Sequence, residues 1–217
     1  DLPLVYVNQL GGQDELVFDG ASFVMSSAGE VQVQLPAWQE NIVHTTWSIT
    51  QGAATCLSDD KALLEEGLAA TYQAAMLGLR DYVRKNGFPS VLLGLSGGID
   101  SAICAALAAD ALGPEQVHCI MLPSKFTSQE SLDDAKECAD LLRVKLDEVS
   151  IEDSVGVLEG SLSSLFGDLP NDMTEENIQS RLRGTLLMAL SNKFGSMVVT
   201  TGTVSYTHLR AHETTNY

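Results

Sequence analysis

The chain has 217 residues, 45% of them hydrophobic, which is enough material for one large domain or parts of two with a buried core. Its 12 basic and 29 acidic residues give a formal net charge of −17. Because this charge repels nucleic-acid backbones and anionic lipid surfaces, we expect no nucleic-acid partner and no membrane association.

The cysteines and the apolar segments are typical of a protein from a reducing compartment. Cys56, Cys104, Cys119 and Cys138 form no CxxC pair and have no metal-ligand spacing, so we expect free buried thiols. No apolar run approaches the length of a transmembrane helix, and the first residue is Asp1 instead of Met. These features predict an internal fragment of a cytoplasmic protein.

The first part of the chain, up to residue 35, has the pattern of short strands and turns. Between residues 4 and 35, β-branched and aromatic runs alternate with turn signals such as Gly11-Gly12 and Asp19-Gly20. Residues 39–56 show no clear period, which favours an extended connector. We therefore predict a domain boundary near Cys56.

Beyond the connector, helix and strand patterns alternate. Ser58 is predicted to cap a helix with Asp59 and Asp60 in its first turn, and Asn86-Gly87 to end it. The later predicted strands are 90–95, 117–122, 145–149 and 197–201, and the later predicted helices are 101–112, 131–142, 155–165 and 174–194. This βα repetition predicts an α/β, Rossmann-like fold, in which helices flank a parallel sheet and ligands bind at the carboxyl ends of its strands.

A phosphate-binding loop is predicted where strand 90–95 meets helix 101–112. The loop reads Ser96-Gly97-Gly98-Ile99-Asp100-Ser101. Its glycines allow close approach of the backbone, its serines can add hydroxyl donors, and the helix N-terminus favours anions. Because a carboxylate beside phosphate requires a cation between them, Asp100 predicts a shared Mg²⁺. The Walker A and GxGxxG patterns are absent, and an ordinary strand-to-helix turn is the structural alternative.

Five separated stretches, in one order along the chain, carry a resemblance to a known family. They lie within residues 6–20, 94–102, 121–128, 176–181 and 200–202. The loop resembles that of the PP-loop ATP pyrophosphatases, which are adenine nucleotide α-hydrolase-like, and the full set is similar to glutamine-dependent NAD⁺ synthetases. The first stretch resembles the β-rich end of a nitrilase-like glutaminase domain, and the others resemble the front of a synthetase domain.

The resemblance implies a ligase that adenylates deamido-NAD⁺ with ATP and amidates the acyl adenylate with glutamine-derived ammonia, and it implies a homo-oligomer. It also implies an Mg²⁺ ligand at Asp100 and a deamido-NAD⁺ site at Asn177 and Arg181. Their i, i+4 spacing places those two on one helix face, for which a solvated face is the alternative. The implied ATP site consists of Gly94, Leu95, Ser96, Gly97, Gly98, Ile99, Asp100, Ser101 and Thr201.

A second set of hydroxyl residues lies in the stretch 121–128. Ser124, Thr127 and Ser128 follow the carboxyl end of a predicted strand, where substrate loops gather. Helix capping by Ser128 or Ser131 explains this pattern equally well.

Two departures from the family pattern limit these expectations. The glutaminase triad of Glu, Lys and Cys matches no residue here, so we expect no glutamine hydrolysis by this chain. After Gly202 the family's Asn-Lys-Ser-Glu is absent, and residues 204–214 resemble translated adapter sequence. His208, His212 and Glu213 in that stretch resemble a zinc-binding helix, but foreign sequence is the favoured interpretation and no zinc is predicted.

The predicted organisation has three parts: a glutaminase remnant with its connector at residues 1–56, the front of a synthetase domain at 57–203, truncated at its C-terminal end, and a foreign tail at 204–217. We expect this chain by itself to be inactive. Two alternatives remain open. One is another PP-loop enzyme, similar to GMP synthetase or to tRNA-thiolating enzymes, and the other is a nucleotide-binding module without catalysis.

Overall fold

A computed structural model describes residues 2–167 and 169–201. The described residues form two compact units, one ending at Lys85 and the other beginning at Asn86. The boundary expected near Cys56 stays a prediction. No helix in the described part of the chain is both long and apolar enough to cross a membrane.

The first unit consists of short strands and one helix. One sheet has the order β1-β4-β5-β8, and β2-β3 and β6-β7 are antiparallel pairs. A small core forms where Val24, Val33 and Cys56 pack together with Leu35 and Trp47. The elements are β1 (Leu4–Tyr6), β2 (Leu10–Gln13), β3 (Leu16–Asp19), β4 (Phe23–Met25), β5 (Val31–Gln34), β6 (Trp47–Thr50), β7 (Ala53–Cys56), β8 (Asp60–Lys61) and α1 (Gly67–Lys85).

The predicted turn at Gly11-Gly12 is wrong, because both glycines lie within strand β2. The reason for glycine here is the close approach of α1. A Cβ on Gly12 would lie 3.0 Å from the Cα of Gly78, and the Gly12 N–H donates to the Asp81 carboxylate at 2.9 Å. A larger side chain would therefore separate the strand from the helix.

The predicted start of the first helix is also wrong. Residues Asp60–Lys61 form strand β8, which pairs in parallel with β5, and α1 begins only at Gly67. The exposed edge of β5 supplies hydrogen bonds that compete with helix formation, as in the bond from Ala62 N to Gln34 O at 2.9 Å. Leu63, which follows strand β8, is 97% exposed.

The expected extended connector at residues 39–56 is replaced in part by the β6-β7 hairpin. Its register pairs Trp47 with Cys56, and both residues join the core of the first unit. The lack of a clear sequence period is explained by the shortness of the two strands.

The second unit is the predicted α/β fold, and its parallel sheet is confirmed. The strand order is β11-β10-β9-β12, and every adjacent pair is parallel. All the predicted strands and helices of this unit are present, with ends that differ by a few residues. They are β9 (Val91–Gly94), α2 (Ile99–Leu112), a 3₁₀ turn (Pro114–Gln116), β10 (Val117–Met121), α3 (Gln129–Leu142), β11 (Lys145–Glu148), α4 (Glu152–Phe166), α5 (Met173–Phe194) and β12 (Met197–Val199).

The core of the second unit surrounds the central strand β9. Val91, Leu92 and Leu93 have no exposed surface, as expected for a strand covered on both faces. Leu92 packs in a cluster with Ile120 and with residues of α4, and leucines of α5 complete this cluster. Burial of apolar surface stabilises the folded state by roughly 25 cal/mol per Å². The buried residues therefore hold β9 in place as a rigid support for the loop that follows it.

The cysteines agree with the expectation of free thiols. Cys56 and Cys119 are buried, and Cys104 and Cys138 are half-buried; none is in a disulfide. Burial, with a smaller contribution from neighbouring Cys138, raises the pKa of the Cys119 thiol to about 12. A thiol in this state is a weak nucleophile.

Candidate functional site

The predicted phosphate loop emerges from the carboxyl end of β9 at the centre of the sheet. Leu95, the first residue after the strand, is 1% exposed and its N–H donates to Ile120 O at 3.0 Å. Leu95, which leads into the loop, is therefore fixed by both packing and a sheet-like hydrogen bond. The residues after it turn to the edge where the carboxyl ends of β9, β10 and β12 meet.

Two serines hold the loop in its turn. Ser101 is 3% exposed, and its hydroxyl donates to Gly98 O at 2.9 Å and accepts from the Ser96 N–H at 3.1 Å. The two hydroxyl oxygens are 3.1 Å apart, and the Gly98 N–H donates to Ser96 Oγ at 3.3 Å. In this conformation Ser101 stabilises the loop, whereas Ser96 lies at the surface.

Gly97 lies where the loop touches another part of the chain. It has a φ of +81°, and a Cβ built on it would be 2.3 Å from the carbonyl oxygen of Ser131 and 2.9 Å from its Cα and carbonyl carbon. No L side chain fits this space without movement of the backbone. The amino-terminal end of α3 therefore packs directly against the loop, a contact that sequence reasoning did not find.

The helix that follows the loop presents its amino end to this same edge. Gly98 is the N-cap of α2 and provides no side-chain acceptor for the first-turn N–H groups. Those N–H groups and the helix dipole favour a bound anion. The hydrogen-bonded loop and the uncapped helix end together can bind a phosphate chain.

Asp100 is exposed in the first turn of α2. The part of the chain that the structure describes contains no cluster of three or more His, Cys, Asp or Glu side chains suited to a metal. A single carboxylate next to a phosphate site fits Mg²⁺, because that ion retains water and takes most of its other ligands from substrate phosphates. Asp100 also contributes, after burial, to the raised pKa of the Cys104 thiol one helical turn later.

Thr201 follows β12 at the carboxyl edge of the sheet. Val199 in β12 pairs with Leu93 in β9, so the segments that follow these two parallel strands leave the sheet at the same edge. Thr201 is half-buried. The predicted ATP-site residues from the two segments are thus brought to one edge of the sheet by the pairing of β12 with β9.

Asn177 and Arg181 lie on α5, which begins with a capping box of Asp172 and Glu175. Asn177 is half-buried and Arg181 is exposed. Both lie two residues from the buried Gln179 and so, by helix geometry, on the side away from it. Within residues 2–167 and 169–201, no hydrogen bond or ion pair joins either side chain to the loop, and their predicted role stays a prediction.

Of the two explanations for the hydroxyl residues after β10, helix capping is confirmed for Ser128, and a role in a substrate loop stays a prediction. Ser128 is the N-cap of α3 and its hydroxyl accepts from the Ser131 N–H at 3.1 Å. Ser124 and Thr127 bond to each other: the Ser124 N–H donates to Thr127 Oγ1, and the Thr127 N–H to Ser124 O, both at 3.0 Å. These residues shape a loop at the same edge as Gly97.

A bond from α5 to this region was also missed by sequence reasoning. Arg183 Nε donates to the carbonyl oxygen of Leu122 at 3.1 Å. The sequence spacing could have indicated this bond, because Arg183 precedes Leu187 by four residues and so lies on the same inward-facing side of the helix. His208, His212 and Glu213, at which no zinc is predicted, lie outside the described residues.

Comparisons with known proteins agree with this arrangement. The NAD synthase family model matches residues 71–209. The chain is 53% identical over 206 residues to the glutamine-dependent NAD(+) synthetase of Rhodobacter capsulatus, covering 94% of this chain and 37% of that protein. It is 46% identical over 202 residues to the enzyme of the same name from Acinetobacter baylyi, again covering 37% of the relative.

A solved structure gives the same result in three dimensions. The glutamine-dependent NAD⁺ synthetase of Acinetobacter baumannii, solved in complex with ADP, is similar with a TM-score of 0.88 and 44% identity, over 97% of this chain and 40% of that one. This chain thus spans well under half the length of the relatives that it matches. The family match covers more than half of its residues, and the resemblance found in its motifs is confirmed: the chain belongs to the NAD synthase family.

Proposed function

We propose that the protein takes part in the ATP-dependent amidation of deamido-NAD⁺ to NAD⁺. In this reaction the nicotinate carboxylate attacks the α-phosphate of ATP, pyrophosphate leaves, and ammonia displaces AMP from the acyl adenylate. The observation that carries the proposal is the loop 96–101, which is fixed to a fully buried strand and opens at the carboxyl edge of a parallel sheet. Membership of the NAD synthase family supports the same chemistry.

The loop residues would bind the phosphates of ATP. Gly97 and Gly98 allow the backbone N–H groups to approach the phosphate oxygens, and the α2 amino end stabilises their charge. The frame of the loop would consist of Gly94, Leu95, Ile99 and Ser101, with Thr201 at the same edge of the sheet. Asp100 would hold Mg²⁺, which when bound neutralises the pyrophosphate that leaves.

Asn177 and Arg181 would bind deamido-NAD⁺. Their shared helix face and the exposure of Arg181 support contact with an anionic dinucleotide. Because this face of α5 points away from the buried Gln179, a ligand bound there would be open to contact from a second surface. The resemblance implies a homo-oligomer, and we retain this as part of the proposal.

The ammonia would come from glutamine hydrolysed elsewhere in a longer enzyme, because the relatives are named glutamine-dependent synthetases and extend well beyond the segment that matches this chain. The β-rich residues 1–56 would be the end of that nitrilase-like glutaminase domain with its connector. A cytoplasmic location, with neither nucleic acid nor membrane as a partner, is consistent with the net charge of −17.

The test uses two preparations. Calorimetry with Mg-ATP on the 217-residue chain measures binding, with Asp100→Asn as the matched variant. A chimera in which residues 1–202 of this chain replace the corresponding segment of the Rhodobacter capsulatus enzyme measures ATP/pyrophosphate exchange. We expect exchange that requires deamido-NAD⁺ and is lost in the Asp100→Asn chimera.

Three other outcomes would contradict the proposal in distinguishable ways. Exchange stimulated by xanthosine monophosphate instead of deamido-NAD⁺ would favour a GMP synthetase-like enzyme. Binding of Mg-ATP without exchange in the chimera would favour a nucleotide-binding module. An Asp100→Asn chimera that retains full exchange would remove the proposed metal role.

A further inference from the structure

The segment that follows strand β10 is held from two sides at its base. Arg183 Nε donates to Leu122 O at 3.1 Å, and the Ile151 N–H donates to Pro123 O at 3.0 Å. Both acceptors are backbone carbonyls just beyond the last residue of the strand. The direction in which the chain leaves the sheet is therefore set by α5 and by the residue that precedes α4.

The loop beyond this base is closed on itself. The paired bonds between Ser124 and Thr127 fold residues 124–127 into a turn, and the Phe126 N–H lies 3.4 Å from Ser124 Oγ. Ser128 then caps α3 through the Ser131 N–H. Residues 122–131 consequently form one hydrogen-bonded segment from the end of β10 to the first turn of α3.

The C-terminal end of that segment, at Ser131, packs against the phosphate loop. The main chain of Ser131 occupies the space that a side chain on Gly97 would need. A movement of residues 122–131 therefore changes the space available to Gly97, because the contact is between two backbones and cannot be relieved by rotation of a side chain.

Arg183 is placed to control this segment. It lies one turn, roughly 6 Å along the axis, before Leu187, whose Cδ1 is 3.5 Å from the Cβ position of Gly94 at the end of β9. Arg183 therefore lies at the carboxyl edge of the sheet. A partly buried guanidinium that donates to a backbone carbonyl is a directional, charge-assisted contact.

We propose that Arg183 is a positioning residue that fixes the phosphate loop through the bond to Leu122 and the segment 122–131. The inference deepens the proposed function and rests on it, since it links the helix that carries Asn177 and Arg181 to the loop that would bind ATP. Arg183 would act on the phosphate loop without contacting either substrate. It sets the position of Ser131 against Gly97.

The experiment compares Arg183→Gln with Leu186→Ala in the 217-residue chain. Leu186 is on the same helix and packs against the core cluster that contains Leu122, so its truncation loosens this packing but keeps the hydrogen bond from Arg183 to Leu122 O. Hydrogen exchange is followed at the amides of residues 124–131, and Mg-ATP affinity is measured by calorimetry. Arg183→Lys serves as the conservative variant and replaces Arg183→Gln in both measurements if that variant does not fold.

We expect Arg183→Gln to accelerate exchange at residues 124–131 and to weaken Mg-ATP binding, each by about tenfold, with Arg183→Lys intermediate. Leu186→Ala should accelerate exchange in α5 and leave residues 124–131 at wild-type rates. The inference is overturned if Arg183→Gln leaves exchange at residues 124–131 unchanged, or if Leu186→Ala gives the same pattern. Because hydrogen exchange needs no ligand, it tests Arg183 even if the wild-type chain binds no ATP, a result that counts against the proposed function alone.

Discussion

Replacement of Gly97 by alanine tests the packing of the phosphate loop most directly. Two costs add at this position. A φ of +81° is unfavourable for an L residue by about 1–2 kcal/mol, and overpacking a close contact costs about 1–3 kcal/mol more. The new Cβ would meet the Ser131 carbonyl oxygen at 2.3 Å, so the backbone has to move. We expect Gly97→Ala to destabilise the second unit by about 2–5 kcal/mol.

Gly195→Ala is the matched control within the same unit. Gly195 ends α5 with a φ of +72°, and no atom lies within 4 Å of its Cβ position. This variant carries the cost of positive φ alone, about 1–2 kcal/mol. The difference between the two variants, about 1–3 kcal/mol, isolates the contact with Ser131.

The assay must report on the second unit specifically. Both tryptophans, Trp38 and Trp47, lie in the first unit, so intrinsic fluorescence does not follow the loop. Hydrogen exchange of the amides in β9 and in the first turn of α3 gives the opening free energies needed. If Gly97→Ala costs no more than Gly195→Ala and leaves exchange near Ser131 unchanged, the backbone contact does not restrain the loop.

Three further predictions concern single side chains. Ser101→Ala should destabilise the loop by about 1–3 kcal/mol, because it leaves the Ser96 N–H without its acceptor and the Gly98 carbonyl with the Ala102 N–H as its remaining donor; hydrogen exchange at the loop measures this. Hydrogen bonds from Lys145 and His118 are the main cause of the lowered pKa of the Asp147 carboxyl. Its contribution to stability is therefore complete above the unfolded pKa near 3.9 and is lost as the pH falls through the folded pKa. Thermal melts below pH 4 should show less acid sensitivity in Asp147→Asn than in the parent chain. Cys119, with its pKa raised to about 12, should resist alkylation at pH 8.5 in the native chain and react after denaturation, as mass spectrometry can map.

Each of these predictions has a contrary result. Wild-type exchange rates in Ser101→Ala would show that the serine bonds do not hold the loop. Equal acid sensitivity in Asp147→Asn and the parent would show that the ion pair does not persist in solution. Rapid native alkylation of Cys119 would show that β10 opens far more readily than its complete burial implies.

The second unit was predicted well because its sequence patterns are locally consistent. Strand β9 is a continuous apolar run, the loop has two adjacent glycines, and α2 follows with alanines such as Ala105 and Ala108 that are fully buried. Strand order was not predictable from these local patterns. The placement of β12 beside β9 depends on a pairing between residues about one hundred positions apart in sequence, as in Val199 with Leu93.

The first unit was predicted less well because its elements depend on neighbours more than on local preference. The helical pattern from Ser58 onward is overridden where Asp60 pairs with Val33 on the open edge of β5. Gly12 has the sequence signature of a turn but lies in a strand, because α1 approaches it closely. In both places a distant segment supplied the hydrogen bonds or the steric limit that decided the conformation.

The sequence by itself determined the α/β class of the second unit, the position of the loop 96–101, and the family resemblance, because all three depend on residue types at short spacing. Only the tertiary structure decided how the loop is held. The burial of Ser101, the contact of Gly97 with the main chain of Ser131, and the bond from Arg183 to Leu122 join segments from α2, α3 and α5. Such contacts are set by the packing of helices on the sheet, and no pattern of neighbouring residues encodes them.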